Sequence, residues 1–541
     1  MNIKTNLDLH DIQGNIIKGY GRFGFPKARY IFYHITKSKD GRQFILNLLP
    51  KITNSAAWNP DNPNSKIDPI PNVTTNIALT YTGLKRLGIS QKSLQSFPEE
   101  FAEGMKARRT ILGDNQKSAP ENWDPIWNLK KSIDIFISIN GKTIADVEQR
   151  YQEICNLISD LQGVIQLKGH RGENQTIDLP YQEASALYDD NGQITAKEHF
   201  GYTDGISDPY FKGSGINRGF VVGGGKLTGK NPQSISGWKP LETGEFILGH
   251  KDEAYEYPQA PIPRLLSHNG TFMVYRKLHQ NIGSFNKYLE EEGNKYPEGK
   301  EALAAKFVGR WRNGAPISLF PTEKEANDFA ADLEKARKKY HEAKNNNIIQ
   351  KAEKELLKLK YYELLKKLVA FDYDSNIEGS RCPVGAHMRR ANPRGSLEFD
   401  KKGAFKTPGA LVNRRRIARR GLPYGKPNWN AKKDNGNHGI IFMAINASIR
   451  RQFEFVQQQW INYGNDLKLA NEKDPIIGNH CVDKNGKENG RMIIPGDKTK
   501  NKAPHFCQNI PRFVEVRGGE YFFIPSITAL EMIGKGIVDP T

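Results

Sequence analysis

The 541-residue sequence predicts an α+β fold: two ferredoxin-like units with antiparallel sheets, the second interrupted by a helical hairpin. Three observations predict it. Residues 28–169 alternate strand and helix signals in the split βαβ order: strand, helix, strand, strand, helix, strand. A looser version of the same pattern recurs between 269 and 526, and the block 322–370 departs from both with a long run of Lys, Glu, Ala and Leu. The expected division is 1–215 and 216–541, with 322–370 inserted in the second unit.

Each element has its own signal. ARYIFYHI (28–35) is β-rich and alternating. RQFILNLLPKI (42–52) has helical apolar spacing. TTNIALTYT (74–82) reads as a strand, with Thr82 as cap of the helix that follows. SIDIFISI (132–139) ends at Asn140-Gly141, and residues 144–161 place Ile144, Val147, Tyr151, Ile154, Cys155 and Leu161 near one helical face before GVIQLKG returns as a strand. In the second unit, 269–278, 438–448 and 520–526 read as strands, and HQNIGSFNKYLEEE and SIRRQFEFVQQQWIN as helices. Within 322–370, two helices meet near Asn345-Asn346-Asn347, with Leu356, Leu359, Leu364, Leu365 and Leu368 as an apolar stripe.

Composition narrows the function classes. With 37% hydrophobic and 10% aromatic residues the chain can bury a large core. The four cysteines, Cys155, Cys382, Cys481 and Cys507, form no CxxC and no disulfide scaffold. The first residues carry no apolar run, and no stretch approaches the ~20 apolar residues of a membrane span. The expectation is a cytoplasmic protein without a membrane partner. A formal charge of +19 favours anionic partners, but the basic residues are spread along the chain and match no zinc-finger or RNA-recognition spacing, which disfavours nucleic acid.

Three segments concentrate chemistry. In HFGYTDGISDP (199–209), Gly201 and Gly205 flank Asp204. Glycine permits positive φ and close backbone approach, so the turn is either structural or a carboxylate held against a flat ligand. In CPVGAHMRRANPR (382–394), small residues Gly385 and Ala386 leave room beside His387, while Arg389, Arg390 and Arg394 offer cations for carboxylates. RRRIARRGLPYG (414–425) is a basic run ending in a turn that would fix at least one arginine. A fourth combination, His480, Cys481, His505 and Cys507, has residue types suited to zinc, but adjacent side chains seldom converge on one ion.

Together these segments resemble the dye-decolourising peroxidases. HFGYTDGISDP resembles that family's GxxDG turn, AHMRRANPR its proximal histidine segment and RRGLPYG its distal arginine segment. DIQGNIIKGYG, GMKARRTILGD, GEFILGH, VGRWRNGAPI and GGEYFFIPS match further pieces in order along nearly the whole chain. Block 322–370 falls outside the resemblance. Membership implies one haem b per chain, held between the two units and between sheet and helices. It implies His387 as the iron's axial ligand, Asp204 as distal acid/base, and Arg419 as a permanent cation stabilising developing negative charge. Gly205, Ile206, Arg389, Ile440 and Phe442 are the implied cofactor contacts. Glu515 and Glu520 are both open as the carboxylate that accepts from His387. The implied activity reduces hydrogen peroxide and oxidises dyes, phenols or other aromatic and anionic reductants by one-electron steps, with an acidic optimum; a homodimer is compatible with the resemblance. The alternative within the same resemblance is a non-catalytic haem store, sensor or iron-removing protein.

Overall fold

Strand β1 (Lys27–Ile35) is followed by helix α1 (Ser38–Leu48), β2 (Val73–Leu79), β3 (Ile135–Gly141), helix α2 (Ile144–Ile158) and β4 (Val164–Gln166). The computed structural model describes residues 7–58, 69–172, 176–214, 238–346, 348–397 and 410–537. The strands assemble as β4-β1-β3-β2, antiparallel throughout, which is the split βαβ arrangement. A short β5 (Gln182–Ser185) adds to β1. A reciprocal capping box between Thr143 and Asp146 starts α2. The cap after β2 is Thr80, not Thr82: pairing to β3 ends at Leu79, so Thr80 already has extended geometry and its Oγ1 accepts from the Gly83 N–H.

The second unit runs β6 (Thr271–Gln280), α3 (Ile282–Gly293), α4 (Gly299–Val308), α5 (Glu323–Asn345), α6 (Lys351–Lys367), α7 (His387–Ala391), β7 (Ala418–Arg419), β8 (Pro423–Tyr424) and β9 (Gly439–Asn446). After β9 the expected helix is π-helical, over Arg450–Glu454 and Val456–Ile461. A ribbon of β10 (Gly490–Ile494) and β11 (His505–Ile510) precedes β12 (Val514–Ile524) and α8 (Ile527–Lys535). The sheet order is β12-β6-β9-β7, with β8 also on β9. This repeats the order of the first unit, β7 and β8 together taking the second strand's place. The expected division at 215/216 falls outside the described residues.

The two sheets join. Phe523 of β12 pairs with Leu79 of β2, giving one ten-stranded sheet. It curls until β5 and β8 come within 8 Å (Cα–Cα). Rings from both units then meet inside: Tyr30 lies 6.3 Å and Phe32 5.6 Å from Tyr275, and Phe136 lies 5.2 Å from Phe522. Buried ion pairs bind the units further. Lys277 Nζ sits 2.6 Å from Asp124 Oδ2, Arg276 pairs with Asp114, and Arg108 grips Glu454 at 2.5 and 2.8 Å.

The insertion is a helical hairpin as expected, α5 starting at a Thr322–Glu325 capping box and Tyr340 stacking on Tyr361 at 5.7 Å; Asn347, in the expected joint, lies outside the described residues. The leucine stripe divides. Leu364 and Leu368 pack on the second unit's core, while Leu356 and Leu359 are 66% and 55% exposed, because α6 is covered only towards its C-terminal end. Among the described residues, no helix is long and apolar enough to cross a membrane.

Removing one member of a buried pair strands the other. Glu454 is buried and also accepts from Tyr521. Arg108→Met is expected to destabilise the fold by about 3–5 kcal/mol in chemical denaturation, with Arg108→Met/Glu454→Gln recovering part of that loss. A loss below ~1 kcal/mol would count against a structural role for this pair.

Candidate active site

Alternation in β6, β9 and β12 gives one sheet face to the ring-packed interior and the other to a cavity of about 670 Å³. Leu278, Val514, Val516, Ile440 and Phe442 line it from the sheet. His387, Met388 and Ala391 of α7 line the opposite wall, and Arg22, Asp204 and Arg419 stand together at one side.

His387 opens α7. Its Nδ1 lies 2.9 Å from Asp474 Oδ2. Asp474 is fully buried, and its Oδ1 accepts the N–H groups of Ile476 and Ile477 at 2.8 and 2.9 Å. Burial pushes this carboxyl up, but His387 and the Ile477 N–H outweigh it, and its pKa falls below the ordinary value. Burial opposes protonation of His387, yet Asp474 prevails and raises it. An ionised Asp474 makes Nδ1–H the donor, which leaves the Nε2 lone pair of the neutral ring as the available ligand.

Asp204 sits in the turn where Gly201, Gly205 and Ser207 all have positive φ. A Cβ built on Gly205 would meet no atom within 4 Å, so the glycine keeps a flat face of the cavity open. Asp204 Oδ1 receives Arg419 Nη1 at 2.9 Å, and Oδ2 receives Arg22 Nη2 at 2.9 Å. Burial pushes the Asp204 carboxyl up, but Arg419, then Arg22, and the Gly205 N–H hold it below the usual range. The side chain keeps 27% exposure to the cavity. Arg419 also donates to Asp208 Oδ1 at 3.1 Å and to Ile206 O at 3.1 Å; burial works against its charge, Asp208 and Asp204 more than compensate, and it stays cationic.

Residues 11–171 match the DyP dimeric alpha+beta barrel domain. The dye-decolorizing peroxidase msp1 of Mycetinis scorodonius is 27% identical over 549 residues, covering 98% of this chain and 88% of that protein. The multifunctional dye peroxidase DyP2 of an Amycolatopsis species is 26% identical, covering 97% and 96%. A solved ancestral D-type dye decolorizing peroxidase aligns with a TM-score of 0.69 at 27% identity, over 97% of this chain and 99% of that one. Along nearly its whole length the chain is similar to dye-decolourising peroxidases.

Within this peroxidase, seven of the expected site residues line one cavity: Asp204, Gly205, Ile206, His387, Arg419, Ile440 and Phe442. Three do not. Arg389 lies two residues beyond His387, about 200° round the helix, and its guanidinium is spent on the carbonyls of Asn376, Cys382 and Ile377. Glu515 and Glu520 fall on the other sheet face, registered with His279 and Tyr275, while cavity-facing Val516 pairs with Leu278. Glu515 accepts from Asn281 and Arg517; Glu520 accepts the Met105 and Tyr521 N–H groups. Asp474 holds the place expected for one of them. It comes from a loop without periodicity, and its one sequence mark is the Asp474-Pro475 turn before two isoleucines.

The cavity's charges bear on its fit to haem. Arg310, Arg394 and Arg416 line one end of the cavity, buried. Burial and mutual repulsion, from Arg394 first, push Arg310 and Arg416 down to about 9. Arg394 Nε and Nη2 have no hydrogen-bond partner among the described residues. A buried cation with unmet donors, as Arg394 is, suits a ligand bearing carboxylates.

Arg22, which the motif reading passed over, sets Asp204 as directly as Arg419 does. Removing its charge raises the Asp204 pKa. If this carboxylate accepts the proton of peroxide, activity is lost as pH falls through that value. Arg22→Gln should therefore move the acid limb of peroxide-dependent turnover up by ~1 pH unit. An unmoved limb would show that Arg22 has no electrostatic part in the site.

Proposed function

We propose that this protein is a haem-dependent peroxidase holding one haem b per chain, reducing hydrogen peroxide and oxidising dyes, phenols or related aromatic and anionic reductants. The observation that carries the reading is the convergence of two hydrogen-bonded pairs, His387–Asp474 and Arg419–Asp204, on one cavity between sheet and helices. Haem, when bound, supplies the redox chemistry that splits peroxide and then accepts electrons singly from the reductant. His387 would hold the iron through Nε2, and Arg394, with Arg310 and Arg416 beside it, would receive the propionates.

The chain's own groups handle the protons. Asp204, ionised under its two arginines, takes a proton from peroxide at a carboxylate oxygen and returns it to the departing oxygen, which leaves as water. Arg419 cannot serve as base and instead stabilises negative charge beside Asp204. Ile440 and Phe442 form apolar walls that keep bulk water from competing for that proton. Asp474 is a positioning residue. It fixes the tautomer and direction of His387 and makes the ring a stronger donor of electron density.

The test is the absorption spectrum of the haem-loaded chain before and after one equivalent of peroxide. A Soret band that depends on His387 and shifts within milliseconds supports the proposal. Asp204→Asn should slow that shift by about 10²–10⁴-fold with haem retained, and Arg419→Leu by about 10²–10³-fold. Haem binding without a fast peroxide response would instead indicate a store or sensor, and His387→Ala retaining an unchanged band would overturn the ligand assignment. Asp474→Asn should cost about 10–100-fold in haem affinity or turnover. An unaffected variant would remove Asp474 from the site.

A further inference from the structure

Outside the haem cavity, one cluster brings together a thiol, an imidazole and a carboxylate. Strand β11 alternates, so His505 and Cys507 point to one side while Phe506 between them is exposed. That side faces α3, whose Glu292 is buried one residue before the helix ends. The Glu292 carboxylate oxygen, a His505 ring nitrogen and Cys507 Sγ all lie within 4.8 Å of one another. His505 Nε2 is 2.9 Å from Glu292 Oε1, Lys295 Nζ is 2.9 Å from Glu292 Oε2, and the Tyr288 hydroxyl stands beside the thiol. Half of the His480, Cys481, His505 and Cys507 combination thus gains a third donor from a helix far away in sequence. The other half is engaged elsewhere: His480 Nε2 contacts the Asp474 carbonyl, and Cys481 Sγ contacts Asn479 O and Asn115.

We propose that Glu292, His505 and Cys507 form a zinc site that clips the β10–β11 ribbon to α3. Sulfur, nitrogen and one carboxylate oxygen are the donors zinc takes, and hard cations such as magnesium and calcium do not take thiolate. Zinc–ligand distances of roughly 2.0–2.3 Å require donors roughly 3.3–3.8 Å apart in a tetrahedron, a contraction that small side-chain rotations supply. On binding, the Cys507 S–H bond gives way to S–Zn and the proton leaves to solvent, while Lys295, largely exposed, releases Glu292 to water at no burial cost. Zinc with a thiolate, a carboxylate and a neutral imidazole is a neutral assembly, which suits a buried place. Water completes the fourth position. The ribbon has reason to need a clip. It is two-stranded and separate from the main sheet, and such hairpins are marginal alone.

The test uses the full chain, dialysed against chelator and titrated with zinc chloride, read by calorimetry and by elemental analysis after gel filtration. One zinc ion per chain is expected, with His505→Gln, Glu292→Gln and Cys507→Ser each weakening uptake at least tenfold. Cys481→Ser should leave uptake unchanged. Zinc should also raise the melting temperature of the wild type but not of His505→Gln; that variant, at the site's rim, carries the test should Cys507→Ser not fold. A folded wild type that retains no zinc, or equal uptake by His505→Gln/Cys507→Ser, would overturn the proposal and leave Cys507 as core filling beside a His–Glu hydrogen bond.

Discussion

Two-residue periodicity in β6, β9 and β12 is the constraint on which the rest of this molecule depends. It sends Tyr275, Lys277 and His279 to one side of the sheet and Arg276, Leu278 and Gln280 to the other. One side becomes an aromatic interior shared by both units; the other becomes the floor of the cavity. A slip of one residue would exchange rings for cavity wall along a whole strand. The single bulge between Val516 and Gly518 shows how much rests on register, since it places Glu515 and Glu520 on the same face although their numbers differ in parity.

The cavity's electrostatics follow from what that floor leaves uncovered. Positive charge gathers in two groups. Arg22 and Arg419 surround a carboxylate and hold it ionised, while Arg310, Arg394 and Arg416 gather where burial first, and for Arg310 and Arg416 repulsion from Arg394 next, depresses their pKa values. The first group is satisfied within the chain. In the second, burial disfavours the charges and Arg394 repels both neighbours, a cost that a carboxylate-bearing ligand would reduce. Binding of the cofactor and stability of the empty fold are therefore linked through the same arginines.

Much of this was readable from residues. The strand and helix order, and thus the fold class, followed from periodicity, and glycines around Asp204 marked a turn that does use positive φ. His387, Asp204 and Arg419 became readable once their motifs were taken together. What escaped did so for physical reasons. Asp474 lies in an aperiodic loop and acts through two backbone N–H bonds that no pattern advertises. Arg389 was misplaced by helical phase, Thr82 by the strand's ending three residues earlier than its β-rich run, and the joining of two sheets into one by a contact at Phe523 and Leu79 that is remote in sequence. Arg22 stood one residue past a recognised segment. The insertion's amphipathic stripe was visible, but only packing could tell which leucines are covered.

The ion pairs between the units bear on how such a chain could have changed over time. Lys277, Arg276 and Arg108 find their counter-charges in residues contributed by the opposite half, all out of reach of water. Neither half is an independent module, because each, alone, would carry naked charge on a surface meant to be sealed. A recombination that exchanged one half for that of a cousin would have to carry matching residues at three separate places. Inheritance of the chain is in that sense indivisible: its halves look duplicated in topology, yet they can drift only as a matched set.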